Sequence, residues 1–245
     1  SLASWPDGSA RQGMRRASPY RPSFVCVGSP STPSAQRRGS DHRIICMYVE
    51  KRREIKGDAW YEEWFQAQYA RTPADLHLLV NVVWRAGATD GVLRLLCDAI
   101  KAHPIDDQLA DALGYGRWYG EVSQEGLREL LQELITQDKY VSTVTVLHER
   151  ITLRAHEIDW WEELALGVVM NVGLIHDMHN YASFHWKEVV EKYLDKHASK
   201  IVGRIFEAHM NQSKGYRAFD HYAEQIVKQA LEIDSLGVWR ELSAN

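Results

Sequence analysis

Histidine is the reactive residue this chain carries in excess, with eleven among 245 residues and six of those between positions 176 and 221. Imidazole binds metals and moves protons near neutral pH, so the spacing of these residues is informative. In Gly173-Leu-Ile-His-Asp-Met-His179, His176 and His179 stand at i, i+3. They can share a helix face, but two ligands do not make a metal site. His197 and His209 fall on an apolar stripe and read as hydrogen-bonded core residues, while His185, beside Trp186, reads as a surface residue. The motifs of the common hydrolases and nucleotide binders are missing: no H-E-x-x-H, no P-loop, no Glu-x-x-His pair and no G-x-S-x-G. Gly114-Tyr-Gly-Arg-Trp-Tyr-Gly120 has the spacing G-x-G-x-x-x-G and follows a helical stretch, so it is not a dinucleotide fingerprint. It reads as a helix-ending turn with glycines at positive φ; the alternative is an aromatic loop that binds a partner.

The His-Asp dipeptide after an apolar helix resembles the core of the HD phosphohydrolase family. The likeness covers His176-Asp177 alone, and the flank Met178-His179-Asn180 departs from the family's small and basic residues. It implies a divalent metal held by His176 and Asp177, an upstream ligand from His148 or His156, and a downstream one from Asp220. Such a metal would activate water for attack on a phosphoester. The competing reading is a helix C-terminus where histidines cap carbonyls and favour the helix dipole. So short a motif favours the second reading, and no residue is assigned a catalytic, metal or cofactor role on it.

Tryptophan is the other enriched side chain, at nine residues, eight of them between Trp60 and Trp239. Its large apolar area and single N–H suit half-buried positions and interfaces. Trp60 with Trp64, and Trp160 with Trp161, place indoles on more than one side of a helix. These four, with Trp118, are the expected partner-binding residues.

Helices must carry all of these groups, because the hydrophobic period from Asp58 onward is helical. The clearest stripe runs from Trp186 to His209 through Val189, Val190, Tyr193, Leu194, Ala198, Ile201, Val202, Ile205 and Phe206, and predicts one helix. Further stripes lie at 92–100, 127–135 and 219–231. Tyr140–Leu147 is β-branched but keeps helical spacing through Ile151 and Ala155, which predicts a helix. Thr72-Pro73-Ala74-Asp75 predicts a helix start capped by Thr72, and Asp159-Trp-Trp-Glu162 has capping-box spacing. Leu236–Leu242 looks like the opening of another helix, as if the chain were cut from a longer array.

Charge divides the chain. Residues 1–56 carry eleven Lys/Arg against four acids, a balance of +7, whereas 57–245 hold 18 basic and 29 acidic residues, a balance of −11. Five of the seven prolines lie between Pro6 and Pro33. The segment 1–56 is therefore predicted to be a disordered basic Pro/Ser/Arg-rich stretch, with Ile44–Val49 its only strand-like piece. A transit peptide, a basic arm for a polyanion, and sequence upstream of the true start at Met47 all fit it; the abrupt change of composition favours the last. Three cysteines without a C-x-x-C pair point to a reducing, cytoplasmic setting, and no apolar run approaches a membrane span.

The expectation is an all-α domain over 57–245, built of irregular antiparallel helix pairs. It resembles the HEAT/TPR-like α-solenoid class, although no fixed repeat period is found. Such a domain implies a non-catalytic scaffold for protein–protein interaction with a basic protein partner. Nucleic acid is disfavoured by the acidic balance. A helical regulatory domain of a larger protein is a further alternative.

Overall fold

In a computed structural model, the helical stripes of the sequence become α-helices joined by short turns. The structure describes residues 33–72, 74–116, 118–177, 181–210 and 220–244, with backbone only for 33–41, 177, 181 and 244. By its internal contacts the chain divides between Arg38 and Gly39. Of the first unit only the backbone of 33–38 is described, and all that follows concerns the second.

Twelve α-helices occur among the described residues, with no strand. They are α1 (Pro33–Lys56), α2 (Asp58–Arg71), α3 (Leu76–Ala86), α4 (Asp90–Ala102), α5 (Asp107–Gly114) and α6 (Gln124–Thr136). After them come α7 (Tyr140–Leu153), α8 (Ile158–Val169), α9 (Val172–Asp177), α10 (Tyr181–Glu191), α11 (Leu194–Met210) and α12 (His221–Ala244). Single 3-10 turns cover Trp118–Gly120 and Ala155–Glu157. Tyr140–Leu147 is helical, as its spacing predicts.

Short polar residues start four successive helices. Asp75, Thr89, Asp106 and Ser123 accept from the N–H groups of Leu78 (3.1 Å), Val92 (3.2 Å), Leu109 (2.8 Å) and Gly126 (3.1 Å). Each such cap stabilises its helix by about 1 kcal/mol. The cap of α3 is thus Asp75 and not Thr72, because Asp75 stands where its carboxylate reaches the first free N–H. Asp159 likewise sits inside α8, and the residue before that helix, Glu157, makes no cap because its carboxylate is bonded to Arg150.

Packing advances along the chain in short steps. From α2 to α7 each helix packs mainly on its second neighbour: α2 on α4, α4 on α6, α3 on α5, α5 on α7. Beyond that, α7 packs on α10, α9 on α11, and α12 on α10 and α11. Polar links repeat the same stride, joining Arg85 to Glu50, Ser123 to Asp90, Arg128 to Glu163 and Tyr193 to Ile158 over 33 to 35 residues. The second-neighbour stride is kept from α2 to α7 and gives way to other pairings beyond it.

Three expectations need correction. The chain from 42 to 56 is helical, so the disordered segment does not reach over it and Ile44–Val49 is not a strand; residues 1–32 of that segment lie outside the described residues. Cys46 and Val49, three residues apart, are buried, and their packing supplies the order that composition does not promise. The long stripe from Trp186 breaks at Lys192-Tyr193, where the N–H groups of both residues bond back to Val189 and Val190. There Tyr193 turns inward to donate its hydroxyl to the Ile158 carbonyl at 2.9 Å. Third, none of Gly114, Gly116 and Gly120 has a positive φ; only Gly57 and Gly87 do, among the described glycines. Gly116 is instead needed because a Cβ there would overlap the Trp118 indole.

The helix start expected near Leu236 is present within α12. Asp234 leaves helical values (φ −145°, ψ 70°) and its carboxylate accepts from Gly237 N–H at 2.9 Å.

Candidate functional site

Helices α7 and α10 bring together the groups that sequence spacing leaves apart. The imidazoles of His148 (α7) and His185 (α10) stack with centroids 4.5 Å apart and planes 17° from parallel. Glu149 lies beside them, its Oε1 3.7 Å from His148 Nδ1. One donor atom from each of the three falls within 4.8 Å of the others. Among the described residues this is the cluster of His, Cys, Asp or Glu able to hold a metal.

The surroundings fix how these rings are used. His185 is 8% exposed and its Nδ1 is 3.1 Å from Thr145 Oγ1. Thr145 in turn donates its hydroxyl proton to the Val141 carbonyl at 3.0 Å. Toward His185 that oxygen therefore accepts, placing the imidazole proton on Nδ1 and a lone pair on Nε2. Burial, helped by His148, pushes the His185 pKa down to about 4 against the pull of Glu149 and Glu188. The ring is neutral at pH 7. His148 Nδ1 is buried without a hydrogen bond, and Phe184 stands edge-on to His148 at 5.9 Å and to Tyr222 at 6.2 Å.

Sequence reasoning missed most of this constellation. It placed His185 at the surface and did not single out Glu149. Of the residues it did single out as ligands, His148 joins the cluster. His176 is exposed and does not join the cluster, and the side chain of Asp177 lies outside the described residues. His156 is exposed, 3.9 Å from Glu157. Asp220 uses its Oδ1 to accept from Tyr222 N–H at 2.9 Å, as a cap for α12. His197 is half-buried and bonded to Glu162 Oε1 at 2.9 Å, as expected of a core histidine. The described cysteines, Cys46 and Cys97, are free and buried, with burial pushing their thiols up to about 11 and 12. Burial of this kind disfavours the thiolate that a nucleophile needs.

A second feature lies where α1, α2 and α3 meet the 118–121 turn. An open cleft of about 390 Å³ is lined by Glu50, Glu54, Asp58 and Glu121, by Arg53 and Arg85, and by Trp84. Four carboxylates thus face two guanidinium groups. Arg85 pairs with Glu50 at 2.8 Å. Arg53 forms the floor: it pairs with Asp58 at 2.7 Å, donates to the Ala86 carbonyl and lies 5.0 Å over the Tyr61 ring. Gly87, at φ 83°, ends α3 there, and a Cβ on it would stand 2.6 Å from Arg53 Nη1. Trp84 remains 45% exposed at the edge.

The tryptophans expected to meet a partner divide by burial. Trp118 and Trp161 are in the core, which corrects their assignment as exposed anchors. Trp118 fills the space over Gly116, and Trp161 donates Nε1–H to Glu157 Oε2 at 3.2 Å. In the aromatic loop around Gly114–Gly120, Tyr119 is also buried while Tyr115 is 45% exposed. Trp60, Trp64 and Trp160 are half-buried against the core. Tyr48 stands edge-on to Trp60 at 6.4 Å, and Arg128 lies 5.2 Å over the Trp160 ring. The large exposed indoles are Trp84 and Trp239, at 45% and 62%. No described helix is long and apolar enough to cross a membrane. Comparison with known families, curated proteins and solved structures finds no match to the chain.

Proposed function

We propose that this protein is a non-catalytic, solenoid-like helical scaffold that docks a basic segment of a partner protein in the cleft between α1, α2 and α3. The observation that carries it is the pairing of an exposed indole with an excess of carboxylates in one open cleft. An ammonium or guanidinium group is attracted both by the face of a tryptophan and by carboxylates beside it. The stride of helix packing supports the scaffold reading, because stacked helix pairs offer side-by-side surfaces for extended segments. The balance of −11 over residues 57–245 adds long-range attraction for a basic partner.

The test is anisotropy of a labelled lysine/arginine-rich peptide titrated with the full chain at low and at physiological salt. Saturable binding that weakens at least about tenfold in Trp84→Ala and falls further in Glu121→Gln supports the reading; a tenfold loss corresponds to about 1.4 kcal/mol. Equal binding by wild type and Trp84→Ala means attraction by net charge alone and overturns the cleft as the docking site.

A further inference from the structure

A polar atom buried without a partner asks for an explanation, and His148 Nδ1 is one. Glu149 Oε1 stands 3.7 Å from it, beyond hydrogen-bond distance. The ring stacked on it, His185, is held by Thr145 in the tautomer that leaves Nε2 as a lone-pair donor. Two imidazoles and a carboxylate therefore stand together, with a hydroxyl fixing the orientation of one ring. Outer-shell hydrogen bonds of that kind are how metal-binding histidines are oriented.

We infer that His148, Glu149 and His185 form a binding site for a divalent transition metal, best matched by zinc. Zinc takes imidazole nitrogen and carboxylate oxygen at about 2.0–2.2 Å in a tetrahedron, which sets ligand atoms roughly 3.3 Å apart. The donor atoms lie within 4.8 Å of one another. Because an imidazole lone pair lies in its ring plane and the two rings are stacked 17° from parallel, closing the site also takes rotation of the His148 ring out of that stack. Hard cations such as Mg²⁺ and Ca²⁺ prefer six or more oxygens and are not served by a His₂Glu set. Three protein donors leave a fourth position for water. The metal would also join α7 to α10 through side chains, adding a cross-link where the protein now has an unbonded nitrogen.

Cobalt(II) alone is the probe, added to the metal-free full chain. One equivalent is expected to raise the intense visible bands of a four-coordinate site, and one equivalent of Zn²⁺ to abolish them. His148→Gln and Glu149→Gln are each expected to remove the bands or weaken binding at least about tenfold, while the exposed His156→Gln binds as wild type. Thr145→Val keeps the three donors and removes only the orienting hydroxyl. Its expected loss, about 10- to 100-fold, tests the site even where a His185 variant fails to fold. Absence of the bands in the wild type overturns the inference. So does unchanged binding in both His148→Gln and Glu149→Gln. Loss in His176→Gln with none in His148→Gln would move the metal to the histidine–aspartate pair and overturn it equally.

Discussion

Arg150 and Glu157 show how much one ion pair can organise. Both are buried, and they join through two parallel bonds, Nε to Oε2 at 2.7 Å and Nη2 to Oε1 at 2.9 Å. Arg150 also donates to the carbonyls of Tyr119 and Val122, and Glu157 accepts from the Trp161 indole. One guanidinium thus binds α7 to the 118–122 turn, to the 155–157 turn and to α8. Burial alone would raise the Glu157 pKa, but the bonds from Arg150 and Trp161 outweigh it and hold the carboxyl below its usual 4.5. Since the folded value lies below the unfolded one, the pair's contribution is present above about pH 4.5 and is lost as pH falls through the folded value. Urea denaturation followed from pH 7 to pH 3 is expected to show this loss in the wild type and a shallower slope in Glu157→Gln. Arg150→Ala should cost about 3–5 kcal/mol at pH 7, because it leaves a buried carboxylate unpaired. An equal acid slope in wild type and Glu157→Gln would remove Glu157 from this role.

Two helix junctions in the same chain allow backbone strain to be separated from crowding. Gly57 precedes α2 at φ 82°, ψ −179°, and Gly87 follows α3 at φ 83°, ψ −174°. Both lie in a region that essentially only glycine occupies, where another residue costs about 1–3 kcal/mol. A Cβ at Gly57 would meet nothing within 4 Å, while one at Gly87 would displace Arg53 from the Ala86 carbonyl. Gly57→Ala is therefore expected to destabilise by backbone strain alone. Gly87→Ala should cost more and should also weaken binding of the basic peptide, since Arg53 floors the cleft. Equal midpoints in urea for the two variants would mean that the Arg53 contact contributes nothing. These two glycines were not legible in the sequence, which pointed to Gly114–Gly120 instead; what was legible is the helical spacing. The apolar stripes of α4, α6, α10 and α11 follow from spacing alone. The break at Lys192-Tyr193 does not, because it depends on a carbonyl 35 residues away at Ile158. Nor does the histidine cluster, since His185 meets Thr145 across 40 residues and nothing in either local sequence announces the meeting. The packing of α1 escaped for the same reason: Cys46 and Val49 look isolated until the core they join is built.

At the scale of the whole helical unit, packing is nearly one-dimensional. Each helix finds its main partners within a few places along the chain, and the polar links described span about one helix pair. Such arrays store stability as local terms plus nearest-neighbour interfaces, so damage at one place need not reach another. Ile201 is buried in α11, which packs on α9, α10 and α12 but has no main contact with α2, α3 or α4. Removing its side chain beyond Cβ should cost about 2–5 kcal/mol at that place. Amide hydrogen exchange on Ile201→Ala is thus expected to speed up in α9 to α12 while α2 to α4 keep wild-type protection. Packing of this kind can tolerate a loosened end and still keep the cleft between α1, α2 and α3 intact, so under the proposed function the same variant should bind the basic peptide with unchanged affinity. A core that unfolded as one unit would instead lose protection in all of these helices together, and the basic peptide would then report the change in α11 from the opposite end of the sequence.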